Sequence, residues 1–261
     1  ARFGGDPENM TLMGFSGGSV AVHALVVSKA ASGLFHRAIS RSGSMFNGWA
    51  FSRTPSKSVQ LVIDTLRLNV TSNEDLMRQL RVIPVKELVS VVRSDLVKNF
   101  NYFYELSFVP SIDPIDSQET KIFTAPVDEL IRAGNINKVP FMVGFGSAES
   151  LYAINEANQI PSSLDKYNED PNLLIPSEWD ITPGTSEANE VIQAFRNLYF
   201  GGEKTLKPAL AMQWSNYVSD REFIFGLTKH ARLHIPLQPV YYFRFSYSGA
   251  LSFGQRTIGL M

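Results

Sequence analysis

The 261-residue chain contains no cysteine, which excludes a disulfide framework and any thiolate metal site. It also lacks an excess of charge of either sign. The formal net charge is -1 and no Lys/Arg run reaches four residues, so neither nucleic acid nor an anionic membrane is expected as the main partner. No apolar run is long enough to span a bilayer. The most apolar stretch, Val20 to Phe35, is interrupted by His23 and Lys29. Internal repeats and low-complexity tracts are absent as well. The opening "ARFGGDPENM" has no initiator Met, basic n-region or apolar h-region, and the closing "SFGQRTIGLM" has neither a terminal helix nor a polar tail. Both ends read as cuts in a longer protein, and the compartment, secreted or cytoplasmic, stays open.

What is present is an ordered composition, 44% hydrophobic and 19% charged, in a chain long enough to bury a core. Residues 8–13 read as a buried strand, and "VAVHALVVSKA" after them has helical apolar spacing. A strand is expected at 37–44, helices at 55–67, 74–80, 85–93 and 124–134, and the clearest buried strand at 138–145. Long amphipathic helices follow at 185–200 and 207–234, then a strand at 239–247. The polar, Pro-rich segment 155–189 reads as a surface insertion. Strands alternating with helices imply a parallel α/β sheet with active residues at the strands' carboxyl ends.

"MGFSGGSV" at 13–20 holds Ser16 in the spacing Gly-x-Ser-x-Gly. At average Gly and Ser usage this pattern arises by chance in roughly one chain in ten of this length, so the flanks must decide. Strand, glycine turn and helix form the setting of a nucleophile elbow, where side chains at the flanking glycines would collide with the junction. A serine hydroxyl needs an imidazole base, and the base needs a carboxylate to fix its tautomer. In this kind of fold the chain order is Ser, then Asp/Glu, then His. Glu149, just beyond the strand at 138–145, stands where the acid belongs, whereas Asp6, Asp64 and Asp75 do not. Two plainer readings stay open: a glycine-rich turn without chemistry at Ser16, and a helix cap at Glu149. His230 and His234 have the i,i+4 spacing of a zinc helix, but "HARLH" lacks a general-base Glu, so a solvated or packed helix face is expected and no metal. Nor is a cofactor expected.

"FGGDPENMTLMGFSGGSVAVHAL" resembles the nucleophile segment of the type-B carboxylesterase and cholinesterase family, most nearly its insect esterases. "GLFHRAISRSGS" with Trp49-Ala50, "NKVPFMVGFGSAES" and "PVYYFRFSY" are similar to its later segments, in family order from residue 2 to about 250. The resemblance implies an α/β-hydrolase fold, here the C-terminal portion of a mostly parallel sheet flanked by helices, as one partial domain over 1–261. It implies a serine hydrolase acting on a small-molecule carboxylic ester, with Ser16 as nucleophile, Glu149 as triad acid and the Gly17 N–H as an oxyanion-hole donor. Ser42 would lie behind the triad, and Phe15 and Trp49 would line the substrate pocket.

None of the histidines, His23, His36, His230 and His234, occupies the family's place after the last strand. The base is therefore expected outside this chain, which alone should be inactive. Phe15 replaces the usual Glu, removing a charge and adding bulk; Gly17 replaces Ala and Ser150 replaces Gly. A non-catalytic binding or adhesion relative, or an ester-sequestering one, would be the rival roles. Of two sequons, Asn9 is expected on a buried strand, unfit for a glycan, and Asn69 between helices as the plausible acceptor.

Overall fold

The computed structural model describes residues 2–91, 106 and 108–249. Four strands, β1 (Thr11–Phe15), β2 (Arg37–Arg41), β3 (Phe141–Gly146) and β4 (Val240–Phe245), form one sheet in the order β1-β2-β3-β4. Every neighbouring pair is parallel. The carboxyl ends of all four strands therefore lie along one edge, where a loop leaves each strand.

Around the sheet run α1 (Gly17–Val27), α2 (Pro55–Leu66), α3 (Asn73–Val82), a helical stretch at 85–91, α4 (Val127–Arg132), α5 (Tyr152–Gln159), α6 (Asp165–Glu169), α7 (Ser186–Phe200), α8 (Ala211–Ser219) and α9 (Phe225–His234). The remainder of the expected helix at 85–93 lies outside the described residues. The helix expected to be continuous over 207–234 starts at 211 and widens into a π turn at Asp220–Ile224 before α9. α3 begins where Ser72 accepts from the Asp75 N–H at 3.1 Å, an N-cap that satisfies one orphan amide.

The main core lies on one face of the sheet. Ala38, Phe141, Val143 and Phe145 point into it and meet Val22, Val26 and Val27 of α1, Leu130 and Ile131 of α4 and Leu227 of α9. A second apolar cluster is built by α5 to α8, with Tyr167, Trp214 and Tyr217 fully buried. This corrects the expectation of a surface insertion at 155–189. Leu164, Tyr167, Leu174 and Ile175 of that segment are buried. Its prolines start short helical turns, at Pro161 and Pro171, that carry these apolar residues inward. Short turns hide a periodicity that a longer helix displays.

The opposite face of the sheet is exposed and apolar. Met13, Ile39, Met142 and Tyr241 form one lateral row, and Phe15, Arg41, Gly144 and Phe243 the next. Met13 is 74% and Tyr241 59% exposed. Parallel sheets are ordinarily covered on both faces. The 261-residue chain expressed alone should therefore bind an apolar dye such as ANS and self-associate. Replacing Met13 and Tyr241 with Lys should suppress both; a monomeric chain with no dye binding would contradict the exposed face.

Candidate active site

Between β1 and α1 the backbone turns within one residue. Ser16 sits at φ 55°, ψ -120°, a left-handed conformation that costs a non-glycine residue strain of about 1–3 kcal/mol. Three backbone bonds hold it there. Its N–H donates to the Arg41 carbonyl at 2.9 Å, while its carbonyl accepts from Ser19 N–H (2.9 Å) and Val20 N–H (3.1 Å). α1 starts at Gly17, so the amide donors and positive dipole end of that helix adjoin Ser16. Gly17 is exposed, and its N–H has no hydrogen-bond partner among the described residues.

The glycines around the turn are not equivalent. A Cβ on Gly14 would lie 2.1 Å from the Gly18 carbonyl oxygen, so strand and helix backbones meet directly at that point. Gly17 and Gly18 face open space. The expectation that every flanking glycine avoids a collision holds for Gly14 alone. The second steric requirement comes from Gly43, whose Cβ would fall 2.3 Å from the Ser16 carbonyl oxygen. Gly14→Ala and Gly43→Ala should each destabilise the fold by about 2–4 kcal/mol, since backbone rather than a flexible side chain must yield. Gly18→Ala should be near neutral. Chemical denaturation reads the contrast, and equal effects at 14 and 18 would refute it.

The acid stands two strands from Ser16. Glu149 lies in the turn leaving β3, half-buried. Its Oε1 accepts from the Gly146 N–H at 2.6 Å and from the Ser42 hydroxyl at 2.7 Å. No hydrogen bond to Oε2 is formed by the described residues. Ser42 leaves β2 with φ 57° and is tied by its own N–H to the Gly144 carbonyl at 2.8 Å. Ser16, Ser42 and Glu149 thus follow three adjacent strands at one edge of the sheet. Ser150, next to the acid, is anchored to α8. Its N–H donates to Ser219 Oγ (3.0 Å) and its carbonyl accepts from the Ser215 hydroxyl (2.9 Å).

Phe15 and Trp49 occupy different environments. The Phe15 side chain lies on the exposed sheet face, with the Arg41 guanidinium 4.7 Å from its ring centre. That cation–π contact ties β1 to β2. Trp49 is buried, its indole N–H donating to the Glu222 carbonyl at 2.8 Å and its ring set against Phe223. The indole therefore clips the π turn to the loop after β2. Asn9 corrects an expectation too: it precedes β1, is exposed, and its side-chain oxygen accepts from Arg37. Asn69 is exposed between α2 and α3, as read from the sequence.

His36 accepts the Met10 N–H at 3.0 Å, at the amino ends of β1 and β2 and therefore at the far edge from Ser16. The other three histidines converge in the core. His23 of α1 and His234 of α9 bring their Nε2 atoms to 3.1 Å, and His230 stacks on His23 at 3.7 Å between ring centres. Of the two faces anticipated for the i,i+4 pair, solvated or packed, this is the packed one, joined by a third imidazole that sequence spacing could not disclose. Ligand atoms of all three lie within 4.8 Å of one another. Their geometry nevertheless fits a metal poorly. With His23 and His230 only 19° from parallel, their in-plane lone pairs do not converge. Metal on His234 Nε2 would also require an N–H at Nδ1, where the Gln238 amide nitrogen sits 3.1 Å away. The Val139 N–H bond to Gln238 Oε1 fixes that amide's orientation. Burial holds all three imidazoles neutral, His23 and His230 well below the usual range and His234 at about 4.

The comparisons agree with this architecture. A model of the carboxylesterase family matches residues 1–258. The chain is 27% identical to esterase FE4 of Myzus persicae, covering 96% of this chain and 44% of that protein. It is also 27% identical to juvenile hormone esterase of Heliothis virescens, over 99% and 45%. Human carboxylesterase 5A is 32% identical over 63% of this chain. Among solved structures, juvenile hormone esterase of Manduca sexta, with OTFP covalently attached, superposes with a TM-score of 0.80 at 26% identity, covering 99% of this chain and 48% of that one. The chain spans about half the length of the insect esterases it matches. A parallel sheet with a strained serine turn and a carboxylate at a strand end, matched by a family model over nearly its whole length, is an α/β-hydrolase architecture, and the chain belongs to the carboxylesterase family.

Proposed function

We propose that this chain carries the nucleophile and the acid of a serine carboxylic-ester hydrolase. One observation carries the reading. Ser16 is held at positive φ at the head of α1, while Glu149 is held by Ser42 and Gly146 two strands away on the same edge. In the reaction Ser16 Oγ attacks the ester carbonyl as an imidazole takes its proton, and the alcohol leaves with that proton. Water then attacks the acyl-enzyme and releases the carboxylic acid. Glu149 Oε2 orients the imidazole. The Gly17 N–H meets the oxyanion, a donor of the kind worth about 3 kcal/mol in the transition state. Ser42 steadies Glu149. Phe15 and Trp49 shape the substrate side, Trp49 through the loop it clips to the π turn.

The imidazole comes from outside these 261 residues. His36 is at the wrong edge, and His23, His230 and His234 are buried in contact with one another. The 261-residue chain alone should hydrolyse p-nitrophenyl acetate no faster than its Ser16→Ala variant. Turnover that Ser16→Ala removes would show a base within the chain and overturn this assignment. Covalent attachment of a ligand to the juvenile hormone esterase of Manduca sexta supports the same chemistry by kinship.

A further inference from the structure

A cavity of about 530 Å³ lies between the loop after β2, the segment at 178–179 and α9. Its volume is that of a small-molecule site. Neither Ser16, Glu149 nor Trp49 lines it. Phe46, Phe51, Trp179 and Phe225 supply an aromatic wall, and the charged groups facing it are Arg53, Asp128, Glu178 and Lys229.

Two of these charged groups are already engaged. Arg53 donates to the Glu178 backbone carbonyl at 3.2 Å, and the Lys229 ammonium lies 4.7 Å from the Phe46 ring centre. The Asn47 side chain is likewise committed, accepting the Ser44 N–H at 2.7 Å and donating to the Phe223 carbonyl at 2.9 Å. Glu178 differs. Its half-buried carboxylate accepts from no other residue's donor among the described residues, and burial raises its proton affinity. It reaches the loop only because Gly48 has no side chain: a Cβ there would lie 2.8 Å from Oε2. Asp128 is the other carboxylate in the lining, but it is Glu178 that is pressed against the loop at Gly48. An aromatic wall beside that unengaged carboxylate selects a ligand with an apolar body and a hydrogen-bond donor.

From this we infer that the cavity is a second ligand site, separate from the esterase centre, for a flat apolar molecule bearing one hydroxyl group donated to Glu178. The inference stands independently of the proposed ester hydrolysis.

The test uses 2-naphthol and 2-methoxynaphthalene, which share a body but not a donor. Binding is followed through the methyl resonance of Met45, which lines the cavity, in methionine-labelled protein. The naphthol should bind about tenfold more tightly than the ether, because only the naphthol can donate to the carboxylate and a hydrogen bond to a charged group is strong. Glu178→Leu should bring the two affinities within about twofold of each other. Gly48→Ala, which pushes on the carboxylate, should weaken the naphthol and leave the ether unchanged; it preserves the test if the Leu variant fails to fold. Equal affinities in the wild type, a Met45 signal unmoved by either compound, or a preference that survives both substitutions would overturn the site.

Discussion

In a full-length protein containing this chain, Ser16→Ala should lower kcat on p-nitrophenyl acetate by about five to six orders of magnitude and abolish covalent labelling by an organophosphate. Among the described residues, the serines nearest the turn are already engaged. Ser42 is committed to Glu149, and Ser19 is buried and donates to the Gly14 carbonyl at 3.3 Å. Glu149→Gln should cost about 10⁴ in kcat by a different route. An amide in that place can present an N–H to the imidazole and favour the wrong tautomer, while the Ser16 turn stays intact. Labelling of Glu149→Gln should therefore be slow yet reach completion, whereas Ser16→Ala should never label. Ser42→Ala removes one of two donors to Oε1 and leaves Gly146, so its loss should be modest, about tenfold, and confined to kcat. More than one percent of wild-type activity in Ser16→Ala would remove the serine from the mechanism.

Acid should act on the buried histidines. Burial lowers the pKa of His234 to about 4, from an ordinary imidazole value near 6.5, and lowers those of His23 and His230 as well, because it penalises their charged forms. A depressed pKa means that the unfolded chain binds more protons below pH 6.5. The stability these groups contribute is thus complete above about pH 6.5 and is lost as pH falls toward 4. For His234 alone the shift corresponds to about 3 kcal/mol. His230 sharpens the effect, since among the described residues neither of its ring nitrogens has a partner that could accept a hydrogen bond from an added N–H.

Glu222 opposes this. Burial pushes its carboxyl up to about 7 despite the nearby Arg221, which pulls the other way, so its protonation in the fold stabilises as pH falls through the same window. Three imidazoles against chiefly one strongly raised carboxyl leave a net loss of stability in acid. Denaturant midpoints from pH 7.5 to 4.5 should fall for the wild type and fall more steeply in Glu222→Gln. His234→Gln should flatten the profile. A flat wild-type profile, or one unchanged by His234→Gln, would contradict the neutral-cluster assignment.

Much of the fold was legible in the residues because its elements are local. The apolar runs around Leu12, Ile39 and Val143, spaced by helical stretches, specify parallel strands joined by crossovers, and a carboxylate one turn past a strand end is a positional argument that needs no coordinates. Boundaries shifted by a few residues where capping competed with periodicity. β1 starts at Thr11 rather than 8, leaving Asn9 exposed, and the helix expected over 207–234 gains a π turn. The 155–189 segment was misread because its core residues sit on helical turns too short to show a period.

The chain order of Ser16 and Glu149, the lack of cysteine and the absence of a histidine after His234 are properties of the sequence by itself. Tertiary structure decided which glycines are indispensable, because the atoms that a Cβ would strike lie on a different element: Gly18 of α1 against Gly14 of β1, and Ser16 against Gly43. Only the fold brought His23 within 3.1 Å of His234 across 211 positions, and Ser42 within 2.7 Å of Glu149 across 107. Spacing along a chain reports neighbours on one helix or strand; contacts made by packing helices against a sheet depend on the whole core and leave no periodic trace.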